Sequence, residues 1–155
     1  MSPRQVFGDD IDPGDEIGPL LKHPDAEAVQ RFMVSGMRPE MGGGVNRFTD
    51  SEAASREGLS GPILPGYMGQ AYLAQLITDW MGPHGRLKSL DVTFRRPIRH
   101  GDDLRCIGLI TDKRDEDGMT RVHLDVFIED ARGDRPTQGV AEVLVPTRAP
   151  EAADV

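Results

Sequence analysis

Cysteine is almost missing from this chain of 155 residues: Cys106 stands alone, which excludes an internal disulfide and any cysteine-rich zinc site. Histidine is also sparse. The four, His23, His84, His100 and His123, have no spacing that suggests a zinc pair, so no metal is expected. No run approaches the roughly 20 apolar residues of a membrane helix, and no N-terminal stretch has the apolar core of a signal peptide. The expectation is a cytoplasmic protein with no membrane partner. Positive charge is in deficit too: 18 Lys and Arg against 26 Asp and Glu give a net charge of −8. Most of the surface would repel a phosphate backbone, so a general nucleic-acid binder is excluded, although a local basic pocket for a phosphorylated ligand is not.

What remains is a polar, globular composition, 37% hydrophobic with a mean hydropathy of −0.43. The length suits one domain with a real core. Residues 1–13 (MSPRQVFGDDIDP) and 147–155 (TRAPEAADV) are polar, acidic and proline-bearing, and read as a flexible N-terminal segment and C-terminal tail around a single domain at 14–146.

Inside that domain the period of the apolar residues changes once. Leu20–Lys22 reads as a short first strand. Ala28, Val29, Phe32 and Met33 then lie at helical spacing, which predicts an amphipathic helix over 25–35, ended by Gly36. Gly42-Gly43-Gly44 reads as flexible loop, because no strand precedes it and no helix follows it as in a phosphate loop. A short helix is expected at about 50–57, with Thr49 and Glu52 at capping-box spacing and Gly58 as its stop. A third helix begins near Pro65. Its run YMGQAYLAQLITDWM is apolar nearly all round, which predicts an enclosed helix. Beyond Gly82-Pro83 the pattern turns strand-like over 87–98, 103–113, 120–129 and 137–146, with turn signals between. Val122, Leu124, Val126 and Ile128 alternate plainly. Four strands and three turns predict an antiparallel meander, and with the enclosed helix an α+β plan.

Four pieces of sequence resemble the MaoC-like dehydratase and enoyl-CoA hydratase family. They are Thr49-Asp50 followed by Ala54 and Gly58-Leu59; Gly61-Pro62-Ile63-Leu64-Pro65-Gly66 running into the third helix; Val92, Phe94, Pro97-Ile98 and Gly101-Asp102; and Gly139, Ala141 and Val143 in the last strand. The resemblance spans residues 9–146 and implies the hot-dog fold, in which a curved antiparallel sheet wraps a long central helix. The stretch Ile77–Pro83 is also similar to members associated with steroid side-chain breakdown. The family's hydratases act on enoyl thioesters of coenzyme A, so the resemblance implies no cofactor beyond the coenzyme A that carries the substrate. It further implies a homodimer with a continuous double sheet, or a heteromer with a second MaoC-like subunit.

In those hydratases an Asp and a His, in the pattern D-x-N-P-x-H-x-D-x-x-x-A-x-x-x-G, activate and deliver water. Matching Asp50, Ala54 and Gly58 to the second Asp, the Ala and the Gly puts Phe48 at the His and Gly43 at the catalytic Asp. The I-x-H-G that usually opens the helix is here Ile63-Leu64-Pro65-Gly66. Both members of the dyad are therefore missing at the matching positions, whereas the oxygen-binding helix start is kept. The resemblance accordingly implies either an acyl dehydratase or enoyl-CoA hydratase with a rebuilt site, or the non-catalytic partner of a dyad-bearing subunit. A hot-dog thioesterase is a third reading, with Asp50 or Glu57 as its carboxylate.

Each candidate residue has two readings. Gly66, after Pro65, suits a tight turn where only glycine packs, or a cradle of amide hydrogens for a thioester oxygen that gains negative charge. Thr49 and Asp50 suit helix capping; Asp50 could instead be a substitute base, with Asn46 orienting a water. Tyr67 could belong to the core or point its hydroxyl into the pocket. Arg86, Lys88 and Arg96 share a strand face that is either solvated or a grip on the phosphates of a coenzyme A handle. Cys106, in mid-strand, reads as an inert buried thiol.

Overall fold

The structure is a computed structural model that describes residues 4–36 and 45–148. Five strands, β1 (Glu16–Lys22), β2 (Arg86–Phe94), β3 (Leu104–Glu116), β4 (Met119–Glu129) and β5 (Thr137–Pro146), form one antiparallel sheet in the order β1-β3-β4-β5-β2. Three α-helices, α1 (Ala26–Gly36), α2 (Ser51–Arg56) and α3 (Gly66–Met81), accompany it. This is the expected α+β, hot-dog arrangement, with α3 laid against all five strands. No helix among the described residues is long and apolar enough to cross a membrane.

Alternation decides which strand residues face α3. In β4, Thr120, Val122, Leu124, Val126 and Ile128 are all buried, and in β5 so are Ala141, Val143 and Val145. Against them α3 presents Met68, Leu73, Leu76 and Ile77. Fully burying one such side chain is worth about 1.5–3 kcal/mol, so this row of contacts holds the helix to the sheet. Val29 and Met33 of α1 complete the core, with Ala28 and Phe32 packed partly against it, as the helical spacing predicted.

Three expectations are corrected. The four strands after α3 are not a simple meander. Only β3-β4-β5 is one; β2 pairs with β5 at the sheet's edge, and the chain then crosses back to β3. Pro97, which has no N–H for a ladder, lies in this crossing, and Ile98 is buried there with its carbonyl accepting from Leu64 N–H at 2.7 Å. Second, α3 is not enclosed on every side. Tyr67, Ala71, Gln75 and Thr78, spaced at helical intervals, form an exposed stripe. Third, residues 4–13 are tied down. The side-chain amide of Gln5 donates to Met81 O at 2.9 Å and its oxygen accepts from His84 N–H at 2.8 Å. Ile11 is buried, and Arg148 both pairs with Asp10 and stacks 4.5 Å from the Phe7 ring centre. The rest of the expected C-terminal tail, 149–155, lies outside the described residues.

Candidate functional site

Three stretches far apart in sequence meet where α3 begins. Ile63 N–H donates to Arg47 O at 3.1 Å, Ile63 bridges to Arg99, and Leu64 is bonded to Ile98. The loop before α2, the approach to α3 and the β2–β3 crossing thus lie side by side. They enclose a cleft of about 280 Å³. Pro65, Gly66 and Gly69 of the helix start form one wall, and Phe48, Phe94, Leu64, Ile98 and Thr137 make the apolar surround. Arg47, Arg95 and Arg96 stand at its margin.

The helix start is chemically open. Pro65 is the N-cap and supplies no side-chain acceptor. Its carbonyl takes Met68 N–H at 3.0 Å and Gly69 N–H at 3.4 Å, but among the described residues the Gly66 and Tyr67 amides have no acceptor. Unpaired amide hydrogens at the positive end of a helix are suited to an oxygen that carries negative charge. Thr137 adds a second donor. It is only 2% exposed, it lines the cleft, and among the described residues its hydroxyl makes no hydrogen bond. A hydroxyl that opens onto a cleft from an otherwise buried residue is suited to meet a ligand oxygen or water.

The predicted residues divide. Pro65, Gly66, Phe48 and Arg96 line the cleft. Asn46, Thr49 and Asp50 are not in its lining and take structural roles. Asn46 Oδ1 accepts from Phe48 N–H at 2.9 Å and from the Thr49 hydroxyl at 3.3 Å, locking the turn that carries Phe48. Asp50, not Thr49, caps α2, accepting Ala53 N–H at 2.8 Å, while Glu52 pairs with Arg56 at 2.9 Å and does not reach back. The capping box is displaced because the Asn46 turn already engages the Thr49 hydroxyl. Glu57 lies 3.6 Å from Arg47. Tyr67 does not point into the cleft; it is 65% exposed, at the head of the outer helix stripe. Arg86 and Lys88 are remote. They begin β2 and the cleft lies beyond its end, roughly 25 Å along an extended strand at about 3.3 Å per residue. The register shift between Leu87 and Ser89 also breaks the alternation that would have put Arg86, Lys88 and Arg96 on one face.

Phe48, which motif matching sets at the family's His, lines the cleft, with the Arg47 guanidinium 5.0 Å from its ring centre. Gly43, at the position matching the catalytic Asp, lies outside the described residues. No carboxylate or imidazole among the described residues lines the cleft. His23 is bound to Asp103 at 2.7 Å on the surface, His123 lies 3.6 Å from Glu142, and no group of described His, Cys, Asp and Glu could hold a metal. The arrangement can bind and polarise a carbonyl oxygen, and among the described residues its lining holds no pair to take and return a proton.

Arg47 and Thr137 were not singled out from the sequence, and Phe94 was named only as part of a family motif. For Thr137 a signal existed. The alternation that turns Ala141, Val143 and Val145 inward continues back to Thr137, which puts a hydroxyl at a core position.

Comparison with known proteins agrees with this architecture. The family model described as "MaoC like domain" matches residues 48–130. No curated protein sequence matches the chain. Among solved structures, the (R)-hydratase from A. caviae involved in PHA biosynthesis superposes with a TM-score of 0.73 at 19% identity, covering 88% of this chain and 98% of that one. The ChsH1-ChsH2 complex from Mycobacterium tuberculosis gives 0.71 at 18% identity, covering 88% and 98%. The HadBC (3R-hydroxyacyl-ACP dehydratase) complex from the same organism gives 0.65 at 16% identity, covering 85% and 96%. At these identities the likeness is one of fold.

Proposed function

This chain belongs to the MaoC-like dehydratase family, and from that premise we propose that it binds an acyl or enoyl thioester of coenzyme A at the start of α3 and does not hydrate it alone. The observation that carries the reading is a cleft that keeps the donors for a thioester oxygen and, among the described residues, has no proton-transfer pair in its lining. Among the described residues the Gly66 and Tyr67 amides and the Thr137 hydroxyl have no acceptor, while Phe48, matched to the family's His by motif, lines the cleft. Hydration needs a proton acceptor and donor within hydrogen-bond reach of the substrate. Such a pair would come from a dyad-bearing MaoC-like subunit, which makes this chain the non-catalytic half of a heteromeric enoyl-CoA hydratase. Two solved neighbours come from complexes, ChsH1-ChsH2 and HadBC. The exposed stripe on α3 and the outer edge of β2 give a partner a surface to cover.

The reaction class in such an assembly is that of a hydro-lyase, and lipid or steroid catabolism is the setting the family resemblance suggests. Crotonyl-CoA hydration, measured with the purified chain and again after mixing with dyad-bearing MaoC-like subunits, tests the proposal. Binding without turnover alone, and turnover on mixing, is the expected result. Turnover by the chain alone would overturn the partner reading, and failure to bind any acyl-CoA in any assembly would overturn thioester binding itself.

A further inference from the structure

We infer that a second groove, continuous with the cleft, holds the phosphate-bearing nucleotide of coenzyme A, with Arg96, Arg99 and Arg132 as its anchors. This rests on the thioester reading above and adds where the far end of the carrier lies and what kind of carrier the chain accepts. The groove, about 510 Å³, runs from the β2–β3 crossing to the β4–β5 turn and shares Ile63, Arg96 and Pro97 with the cleft. A ligand whose acyl end reaches Gly66 would leave past Arg96 and enter it.

The charges there are arranged for a ligand and not merely balanced. Asp102, Asp130 and Asp134 lie on the same groove. Asp102 Oδ2 accepts the backbone N–H of Arg99 at 3.1 Å, and Asp130 Oδ1 accepts those of Arg132 and Asp134 at 2.9 and 3.0 Å. These two carboxylates shape the turns that present the arginines. Only Asp134 approaches a guanidinium, that of Arg96, at 3.5 Å. Among the described residues the Arg99 and Arg132 side chains have no carboxylate partner, and both are exposed. Guanidinium forks match phosphate oxygens in pairs. With three arginines beside three aspartates, in a chain of net charge −8, the groove offers no broad positive field to an acidic carrier protein. It suits the discrete phosphates of a nucleotide, and so free coenzyme A in preference to a pantetheine arm borne on a protein.

The test is calorimetric titration of the full chain with crotonyl-CoA and with crotonyl-pantetheine, which lacks the nucleotide. Crotonyl-CoA is expected to bind at least about tenfold more tightly, the scale of one charge-assisted contact. The Arg99→Ala/Arg132→Ala variant should bring the two affinities within about twofold by weakening crotonyl-CoA alone. Should that variant also lose crotonyl-pantetheine, the single Arg132→Gln change is read by the same ratio. Equal affinity for both ligands in the unaltered protein, or a preference that survives the substitutions, would overturn the groove assignment while thioester binding stands. If neither ligand binds the unaltered protein, alone or mixed with a dyad-bearing subunit, thioester binding falls and this inference with it.

Discussion

The ring of Phe94 lies against Gly66: a β-carbon built on that glycine would sit 3.0 Å from Phe94 Cε2. Phe94 ends the edge strand β2 and Gly66 begins α3, so the contact joins the sheet's margin to the helix start. It exists because β2 pairs with β5 and brings its last residue over the end of the helix where the unpaired amides lie. The ring is 48% exposed. Glycine at 66 leaves room for it to rest there without filling the cleft.

Replacing Gly66 should therefore weaken binding without unfolding the protein. In Gly66→Val the new side chain meets the ring and occupies the space before the amides. Crotonyl-CoA affinity is expected to fall at least about tenfold, the loss of a charge-assisted hydrogen bond or more. Part of the loss in the milder Gly66→Ala should return when Phe94→Ala is added, because the obstructing ring is removed. Unchanged affinity in Gly66→Val would end the cradle assignment.

Thr137→Val separates stability from binding. The two side chains share a shape, and the hydroxyl makes no hydrogen bond among the described residues. Urea denaturation should show stability unchanged or raised by about 1 kcal/mol, since a buried polar group is gone. Thioester affinity should fall several-fold at the same time. Loss of stability with intact binding would make Thr137 a structural residue only.

Much of this architecture was legible as period. Val122, Leu124, Val126 and Ile128 announce a half-buried strand, and each is buried. Val29 and Met33 announce the core face of α1 in the same way. Sheet order was not legible, because alternation tells which face of β2 is inward but not which strand lies beside it. That choice depends on the crossing at Pro97-Ile98 and its bonds to Leu64. The same gap explains the site. Arg86 and Lys88 look like neighbours of Arg96 when β2 is drawn as one unbroken strand, and the shift at Leu87/Ser89 with the strand's end at Phe94 separates them. Asn46 and Asp50 flank Phe48 in sequence, yet Asn46 Oδ1 and Asp50 Oδ2 are engaged by the local backbone. Competition among neighbouring caps is a question of geometry that residue types alone do not answer.

Gly139 reports on the pairing that sequence left open. It lies near the start of β5 opposite Val92, where a β-carbon would collide with the Asp91 carbonyl oxygen. Backbone cannot yield there as a flexible side chain would, so β2 must shift. Gly139→Ala should destabilise the protein by about 1–3 kcal/mol, the usual cost of overpacking. Hydrogen exchange should rise first in the β2 amides, since β5 is that strand's one partner. Exchange rising evenly over the sheet would contradict the close approach.

Cys106 gives a prediction in pH. It is fully buried under α3, and burial pushes its thiol from the ordinary 9.0 up to about 11, with Lys22 pulling slightly the other way. Tyr72 shifts upward as well, chiefly through burial and then through the neighbouring Cys106. A raised thiol pKa means the folded state holds its proton where the unfolded chain has released it. Its contribution to stability is full below about pH 9 and is lost as pH rises through about 11. Urea midpoints should therefore decline across that interval, and decline less in Cys106→Ala, where only Tyr72 and the other groups still titrate. At pH 8 the folded protein should resist iodoacetamide, because the thiolate is both scarce and inaccessible. The thiol should become reactive once urea opens the core. Rapid alkylation of the folded chain at that pH would mean that the space between α3 and β3 is open to solvent.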